Sequence, residues 1–332
     1  MNYKLICIAL ILGIVIIASG CTGNTKTMNT TITPINPIGG VIPVKTVNDT
    51  TEHPNIKANL SHAPIKEIEA NLAHAPMQKA PAPKIPAPSP TGGVVACMNK
   101  GVTKINQVYS YNWAGYSIDG TVGSVSDVKG SWIVPKVNTT SKAKNQYSST
   151  WIGIDGDNSQ TVEQIGTDSD TDANGNPVYY AWYEFYPNPC HVINKFPVKS
   201  NDKITAEISY NKRFDSIILY INDITSRKSF SIMMPAKGYS RSSAEWITEA
   251  PWSNGILPLT NFGVTYFGQI YVSKGDPCKA TIGKTTGAID AFGNNTNIIT
   301  MVSQQPTNDI MAQPSSLTGK GTSFSLAWMR AS

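Results

Sequence analysis

Short runs of alternating apolar and polar residues fill the chain from about residue 100 to its end, and these runs constrain the fold most. Gly, Asn, Asp and Pro interrupt them roughly every ten residues, and no long helical period appears. Four of the runs are residues 203–210, 217–222, 262–271 and 323–328. The pattern predicts an all-β domain over residues 97–332, an antiparallel β-sandwich of two large sheets whose inner faces form the core.

The first 21 residues have the composition of an export signal. Residues 5–18 are an apolar run behind Lys4, shorter than the roughly 20 residues of a membrane-spanning helix. The run ends in Ala18-Ser19-Gly20-Cys21, which resembles the lipobox of prokaryotic lipoproteins. We therefore expect an extracytoplasmic protein tethered to the membrane at the cell surface by a lipid on Cys21. An uncleaved anchor and a secreted chain are the alternatives.

Residues 22–96 are rich in Thr, Asn, Pro, Ala and Lys and almost free of aromatic residues. Such a segment buries too little apolar surface to offset the entropy of ordering, so we predict a disordered tether. Residues 55–64 and 67–76 form a degenerate repeat, and both copies end in His-Ala-Pro. We interpret the repeat as drift within a stalk; a pro-segment that docks on the folded domain is the alternative.

Charge and cysteine content restrict function and compartment further. From residue 100 onward, 20 Lys and Arg stand against 18 Asp and Glu, and no basic patch indicates nucleic acid. Outside the signal, Cys97, Cys190 and Cys278 would lie in an oxidising compartment. Three thiols cannot all pair with one another. We predict a bridge between Cys190 and Cys278, because both lie in the folded region.

The predicted sandwich contains a single histidine, His191. A zinc site of the His-x-x-x-His kind needs two. A serine or cysteine nucleophile with a histidine base would have to use His191, which directly follows Cys190, and sequence neighbours rarely have that geometry. These chemistries are therefore disfavoured.

An acidic stretch without Lys or Arg lies between Lys144 and Lys195. Within it, residues 170–175 match the first half of a calcium-binding EF-hand loop, but the twelfth position is Ala181 instead of glutamate. We therefore predict a polar hairpin turn there, and we expect neither a metal nor another cofactor.

Strand alternation collects carboxylates, an amide and large aromatic residues on one side of several strands. The residues that share a face within their own segments are Trp182, Glu184 and Tyr186; Trp151 and Asp155; Gln164 and Gly166; and Glu245, Ile247 and Glu249. An outer solvent face usually carries lysine and threonine instead, so the pattern favours an open cleft.

Five motifs occur in the order found in glutamic peptidases. They are Asn112-Trp-Ala-Gly115, Trp151-Ile-Gly-Ile-Asp-Gly156, Glu163-Gln-Ile-Gly166, Ala181-Trp-Tyr-Glu-Phe-Tyr-Pro187 and Ala244-Glu-Trp-Ile-Thr-Glu249. Residues 112 to about 267 thus resemble the eqolisin family of glutamic peptidases. The resemblance implies a sandwich of two antiparallel sheets, in agreement with the strand pattern.

The resemblance also implies site residues. It makes Gln164 and Glu249 the catalytic pair of an endopeptidase that works at acidic pH on polypeptide substrates. Residues implied to bind substrate or support the site are Trp113, Trp151, Asp155, Glu184 and Tyr186, while Glu245 is implied to be structural. Ala250 follows Glu249 where the family usually has an aspartate, so the local charge should differ.

Two other functions fit the same residues. The sandwich also resembles lectins, and an aromatic cleft with carboxylates could hold a peptide or glycan without catalysis. A glycosidase would need two carboxylates, and Glu184 with Glu249 is the pair to test. Gln164 favours the peptidase, since a lectin has no reason to place an amide beside Glu249. We expect a monomer.

Overall fold

A computed structural model describes residues 72–83, 105–139 and 143–332. Seventeen β-strands and one short 3-10 helix, Ile289–Asn295, lie in these ranges. The strands are β1 Asn106–Ser110, β2 Trp113–Asp119, β3 Val125–Ile133, β4 Ser149–Ile154, β5 Val162–Thr171, β6 Pro177–Tyr186, β7 His191–Val192, β8 Lys203–Asn211, β9 Ser216–Asp223, β10 Lys228–Pro235, β11 Ser243–Glu249, β12 Val264–Phe267, β13 Lys279–Ile282, β14 Thr285–Ala288, β15 Thr296–Val302, β16 Ile310–Pro314 and β17 Phe324–Trp328.

The strands form two sheets. In the first, the order is β1-β15-β2-β11-β4-β5-β6-β7, and every pair is antiparallel except β1 with β15. In the second sheet the order begins β10-β9-β8-β3. The other edge of β3 pairs with β12 and with β13, and β13 pairs with β14. Strands β16 and β17 continue the ladder from β15 to β12, so the two sheets are joined at one edge.

The main core lies between the sheets and confirms the predicted all-β sandwich. The first sheet contributes Ile152, Ile154, Ile165 and Phe185, and the second contributes Trp132, Ile204, Ile208, Leu219 and Ile221. The indole nitrogen of Trp132 donates a hydrogen bond of 2.9 Å to Thr167 Oγ1 on the opposite sheet. Large apolar side chains at every second position thus hold the sheets together.

Predicted and observed strands agree closely in three of the four runs, which correspond to β8, β9 and β17. The fourth run, residues 262–271, is a strand only over Val264–Phe267. It stops at Gly268, whose φ is +91° and where an added Cβ would lie 2.2 Å from the carbonyl oxygen of Thr322. Close approach of a neighbouring backbone, which the alternation does not encode, ends the strand.

The acidic stretch forms a hairpin, as predicted. Strand β5 continues through Thr171, and β6 begins at Pro177. Between them Asp172 Oδ1 accepts hydrogen bonds of 2.8 Å from the backbone N–H groups of Asn174 and Asn176. The aspartate therefore caps a tight polar turn through its own side chain.

The predicted bridge between Cys190 and Cys278 is wrong, because both are free thiols. Cys278 is buried in the core between the sheets, whereas Cys190 packs on a separate apolar cluster on the other face of the first sheet. The first sheet separates the two sulfurs. Membership of the folded region did not indicate on which face of the sheet each cysteine would lie.

Residues 72–83 belong to the stretch 22–96, for which we predict a disordered tether with a docked pro-segment as the alternative. Leu72, Ala75 and Met77 are buried against the first sheet. No helix within the described ranges is long and apolar enough to cross a membrane. The predictions for the signal, for Cys21, for Cys97 and for the first copy of the repeat lie outside the described residues.

Candidate active site

The outer face of the first sheet carries the predicted site residues in two rows. Paired residues of neighbouring strands point to the same side of a sheet. One row runs through Glu245, Gly153, Gln164 and Glu184, and the other through Trp113, Glu249, Ser149 and Asp168. All eight residues are buried. We call this face the cleft face.

Glycines in the cleft face make room for Trp151. An added Cβ on Gly153 would lie 2.6 Å from the Trp151 ring, and one on Gly166 would lie 2.5 Å from Trp151 Cβ. Trp151 also packs edge to face against Trp113, with ring centroids 5.0 Å apart. This packing directs the indole N–H of Trp151 to Glu249 Oε2 at 3.0 Å.

Residues 72–83, which we call the cleft segment, lie across this face. The carbonyl oxygen of His74 accepts a hydrogen bond of 2.6 Å from Gln164 Nε2. The next carbonyl, that of Ala75, accepts from Trp113 Nε1 at 3.1 Å and from Asn112 Nδ2 at 3.3 Å. Asn112 Nδ2 also lies 3.3 Å from Glu249 Oε1. Gln164 therefore contacts the peptide bond between His74 and Ala75 directly, whereas Glu249 is linked to the next carbonyl through Asn112.

Backbone hydrogen bonds fix the cleft segment on both sides of that peptide bond. Before it, Ala73 exchanges N–H···O bonds of 3.0 and 2.9 Å with Trp252. After it, the Met77 N–H donates to Gly156 O at 3.0 Å, and the Ala80 N–H donates to Tyr109 O at 2.8 Å. Main-chain pairing is independent of side-chain identity, so a different peptide could bind along the same path.

Glu249 lies at the end of β11, fully buried. Burial raises the pKa of its carboxyl well above the ordinary value, and the charge of Glu184 raises it further. His74 and the hydrogen bonds from Trp151 and Asn112 act in the opposite direction and lower that pKa. Both carboxyl oxygens have a donor, so the group has a fixed orientation.

Glu184 orients the amide of Gln164. Its Oε2 accepts from Gln164 Nε2 at 3.1 Å and from the backbone N–H of His74 at 3.0 Å. The two hydrogens of the Gln164 amide therefore go to a carboxylate and to a peptide carbonyl. An amide with these two acceptors presents its nitrogen, and not its oxygen, to the carbonyl.

The other predicted site residues differ in position. Trp113, Trp151 and Glu184 meet at the cleft segment, and Tyr186 packs half-buried on the same apolar cluster. Asp155 lies elsewhere: it follows the end of β4 with a φ of +73°, and its carboxylate accepts from the N–H groups of Arg241 and Ser242 at 2.7 Å each. Strict alternation placed Asp155 beside Trp151, but the chain leaves the strand at that point.

Glu245 also lies on the cleft face, but neither of its carboxyl oxygens has a hydrogen-bond partner among the described residues. Burial raises its pKa well above the ordinary value, and the charges of Asp155, Asp157 and Glu163 act in the same direction. A carboxyl in this position is stable when protonated and neutral.

Three contact residues were not selected from the sequence: His74, Asn112 and Asp168. Asn112 belongs to a recognised motif, and Asp168 belongs to the acidic stretch, but nothing in the alternation distinguished them. His74 lay in the predicted tether. The repeat is the sequence feature that could have indicated a role for His74, because both copies contain Asn-Leu-x-His-Ala-Pro.

Comparisons with known proteins identify the family of the chain. A family model described as the Peptidase A4 family matches residues 111–313. Aspergillopepsin-2 of Aspergillus niger is 26% identical over an alignment of 208 positions, covering 56% of this chain and 70% of the relative. Scytalido-glutamic peptidase, solved with a transition-state analogue inhibitor, superposes with a TM-score of 0.54 at 21% identity, over 66% of this chain and 98% of that one. SCP-B, an eqolisin solved with the tripeptide Ala-Ile-His, gives 0.51 at 22% identity with the same coverage.

The fold and the family match define the class of the molecule as a peptidase of the glutamic type. The chain belongs to the Peptidase A4 family. It is accordingly a hydrolase of peptide bonds with a polypeptide substrate, and this membership supports the peptidase over the lectin-like module and the glycosidase.

Proposed function

We propose that the chain is an endopeptidase in which Glu249 activates water and Gln164 stabilises the oxyanion. The observation that carries the proposal is the 2.6 Å hydrogen bond from the Gln164 amide to the carbonyl oxygen of His74. A peptide of the chain itself lies in the cleft with one carbonyl on the Gln164 amide, and its next carbonyl accepts from Asn112, which also donates to Glu249.

The chemistry needs only these two side chains. Ionised Glu249 takes a proton from a water molecule, and the water oxygen attacks the carbonyl carbon. The carbonyl oxygen becomes negatively charged, and the Gln164 N–H stabilises that charge more strongly than it stabilises the neutral carbonyl. Protonated Glu249 then delivers its proton to the amide nitrogen as the C–N bond breaks, which regenerates the carboxylate and releases an acid and an amine.

The surroundings of Glu249 suit a group that both takes and gives a proton. An efficient general base has a pKa close to the working pH, and burial raises the pKa of Glu249 above that of an exposed glutamate. Burial likewise raises the pKa values of Glu163, Glu245 and Asp170. Acidic solution keeps Glu163, Glu245 and Asp170 neutral, and we therefore propose that the enzyme works at acidic pH. Because the attack on the carbonyl needs ionised Glu249, protonation of Glu249 sets the acid limit of that activity.

We also propose that the enzyme is exported and attached to the membrane. Residues 1–21 act as an export signal, and a lipid on Cys21 tethers a monomeric enzyme to the outer face of the membrane. The contacts of residues 72–83 support a pro-segment within residues 22–96 that covers the cleft. The remainder of that segment serves as a tether.

Cleavage of a denatured protein between about pH 3 and about pH 7 tests the reaction. Because the cleft segment covers the site, the full-length chain is assayed both as wild type and with His74→Ala, which weakens the hold of the segment. We expect acid-dependent cleavage that is insensitive to chelators and to serine, cysteine and pepstatin-type inhibitors. Wild type should also cut its own His74–Ala75 bond, giving a new N-terminus at Ala75 by mass spectrometry.

Glu249→Gln is the matched control for both readouts. Absence of cleavage by wild type and by His74→Ala at every pH would refute the proposal. Loss of activity in EDTA would instead indicate a metal, and residues 170–175, which match half of an EF-hand loop, would be its candidate site.

A further inference from the structure

The side chain of His74 lies in a fully buried pocket of the cleft face. Its ring stacks on Trp182 with centroids 3.5 Å apart and planes 2° from parallel. Both ring nitrogens face carboxylates: Nδ1 lies 3.2 Å from Glu184 Oε2, and Nε2 lies 3.6 Å from Asp168 Oδ1. A flat ring with a positive charge and two opposed N–H groups fits these partners.

The pocket is built independently of the cleft segment. Asp168 accepts hydrogen bonds from the Trp182 indole at 2.5 Å and from the Tyr180 hydroxyl at 2.7 Å. These bonds fix the carboxylate at the edge of the Trp182 ring. A fixed carboxylate beside an aromatic face favours a planar cation over a neutral side chain.

The charge state of His74 is consistent with such a pocket. Burial opposes the protonated imidazole, but the carboxylate of Asp168 favours it, and the pKa of His74 lies well above its ordinary value.

The repeat gives an independent indication of what the cleft selects. Residues 59–66 read Asn-Leu-Ser-His-Ala-Pro-Ile-Lys, and residues 71–78 read Asn-Leu-Ala-His-Ala-Pro-Met-Gln. In the second copy Leu72, His74, Ala75 and Met77 are buried. The first copy has the same residue or another large apolar residue at each of these positions. Apart from Ile65 in the place of Met77, the copies differ only at Ala73 and Gln78, which are partly buried.

We propose that Asp168, Trp182 and Glu184 form a histidine-selective subsite for the residue that supplies the attacked carbonyl. The preferred ligands are peptides of the form Leu-x-His-Ala-Pro followed by an apolar residue. The role of this carbonyl rests on the proposed function, whereas selective binding of the peptide does not. Asp168 and Trp182 are then specificity-determining residues.

Other side chains satisfy only part of the pocket. Phenylalanine stacks on Trp182 but leaves the two carboxylates facing an apolar ring. Lysine carries the charge but has no flat face for Trp182. Alanine leaves a cavity beside two buried acids, which is costly.

Hydrogen exchange in the full-length chain tests the subsite with the peptide it already holds. The amides of Ala73, Met77 and Ala80 report on docking, because each donates to the sandwich. His74→Ala should speed their exchange about tenfold or more, and His74→Phe should have a smaller effect. His191→Ala is the matched control, since His191 is exposed and stacks on Tyr183 outside the cleft. Equal exchange in wild type and His74→Ala would overturn the proposal.

A peptide added in trans tests selectivity without the cleft segment's own histidine. The probe is fluorescently labelled Asn-Leu-Ser-His-Ala-Pro-Ile-Lys, and the protein is the full-length chain carrying His74→Ala and Glu249→Gln. Anisotropy should show about tenfold or more tighter binding than for peptides with Ala, Phe or Lys in place of histidine. Asp168→Asn should reduce this ratio. Equal affinities, or no binding of the histidine peptide, would overturn the subsite.

Restoring Glu249 separates the subsite from the catalytic roles. Selective binding of the histidine peptide without hydrolysis would support the subsite and contradict the catalytic assignment. Hydrolysis with no preference for histidine would support the catalytic assignment and overturn the subsite.

Discussion

The two faces of strand β5 are both buried, yet they differ in chemistry. On the core side Ile165 packs with Ile152 and Ile154 between the sheets. On the cleft side Gln164 and Asp168 lie beneath the cleft segment with aromatic neighbours. Ile165 and Gln164 are adjacent residues with the same exposure, so burial alone does not distinguish a stabilising position from a functional one.

The difference lies in what the buried polar atoms of each face contact. On the cleft face Gln164 Oε1, Glu184 Oε1 and both carboxyl oxygens of Glu245 have no hydrogen-bond partner among the described residues. Buried groups without partners destabilise a fold. On the core side of β5, both carboxyl oxygens of Glu163 and the hydroxyl of Ser169 also have no partner among the described residues. What distinguishes the cleft face is that Gln164 and Glu184 contact the cleft segment, so their remaining bonding capacity is available to a substrate.

Glu249→Gln should have the largest effect and tests the cleft face directly. The amide keeps the size of the carboxyl but cannot accept the proton of water, so activity should fall by about 10³-fold or more. The measurement is kcat/KM on a denatured protein in the His74→Ala chain. The control is Glu207→Gln. Glu207 lies on β8 and forms a partly exposed ion pair with Lys129, so its loss should change the rate little. Substantial turnover by Glu249→Gln would remove Glu249 from the mechanism.

Gln164→Ala and Ile165→Ala compare the two faces at adjacent positions. Gln164→Ala should reduce kcat by about 10²- to 10³-fold, because one oxyanion donor is lost. Ile165→Ala should cost about 2–5 kcal/mol of unfolding free energy but leave the rate per folded molecule nearly unchanged. Rates per folded molecule and denaturant unfolding give the two numbers. If both variants lose mainly stability, the division between the faces is wrong.

Gly166→Ala should have an intermediate effect on both quantities. The new Cβ would lie 2.5 Å from Trp151 Cβ and 2.6 Å from Thr150 O, so the two strands must separate locally. We expect a loss of about 1–3 kcal/mol in unfolding free energy. The rate should also fall, because Trp151 would move away from Glu249. Wild-type rate and stability in this variant would show that the close contact at Gly166 is not required.

Much of the cleft face could be predicted from the sequence, because alternation assigns each strand residue to a side. That rule correctly grouped Trp182, Glu184 and Tyr186 on β6. It failed for Asp155, where the chain turns out of the strand, and it carried no information about His74, which reaches the site from outside the sandwich. Contacts between distant segments depend on tertiary packing, and only the repeated His-Ala-Pro indicated that the segment had a partner.

The stability of the chain should depend on pH through the cleft face. Burial raises the folded-state pKa values of Glu245 and Glu249, and nearby charges raise that of His74 despite its burial. A raised pKa means that the folded state binds the proton more tightly. The resulting stability is complete below the unfolded pKa and is lost as the pH rises through the folded pKa.

Thermal unfolding should therefore give a Tm that is highest in acid and falls from about pH 4.5 toward neutrality, where unfolded glutamates ionise first. The stability contributed by His74 is lost at higher pH, beginning near the pKa of a free histidine. The ionisable groups around its imidazole are Asp168, Glu184, Glu249 and Cys190. Glu245→Gln should flatten the acid part of the curve, because the amide is neutral at every pH. Ile165→Ala, on the core face, should lower Tm about equally across the range. A Tm that rises toward neutral pH would mean that buried acids on the cleft face are stabilised as carboxylates.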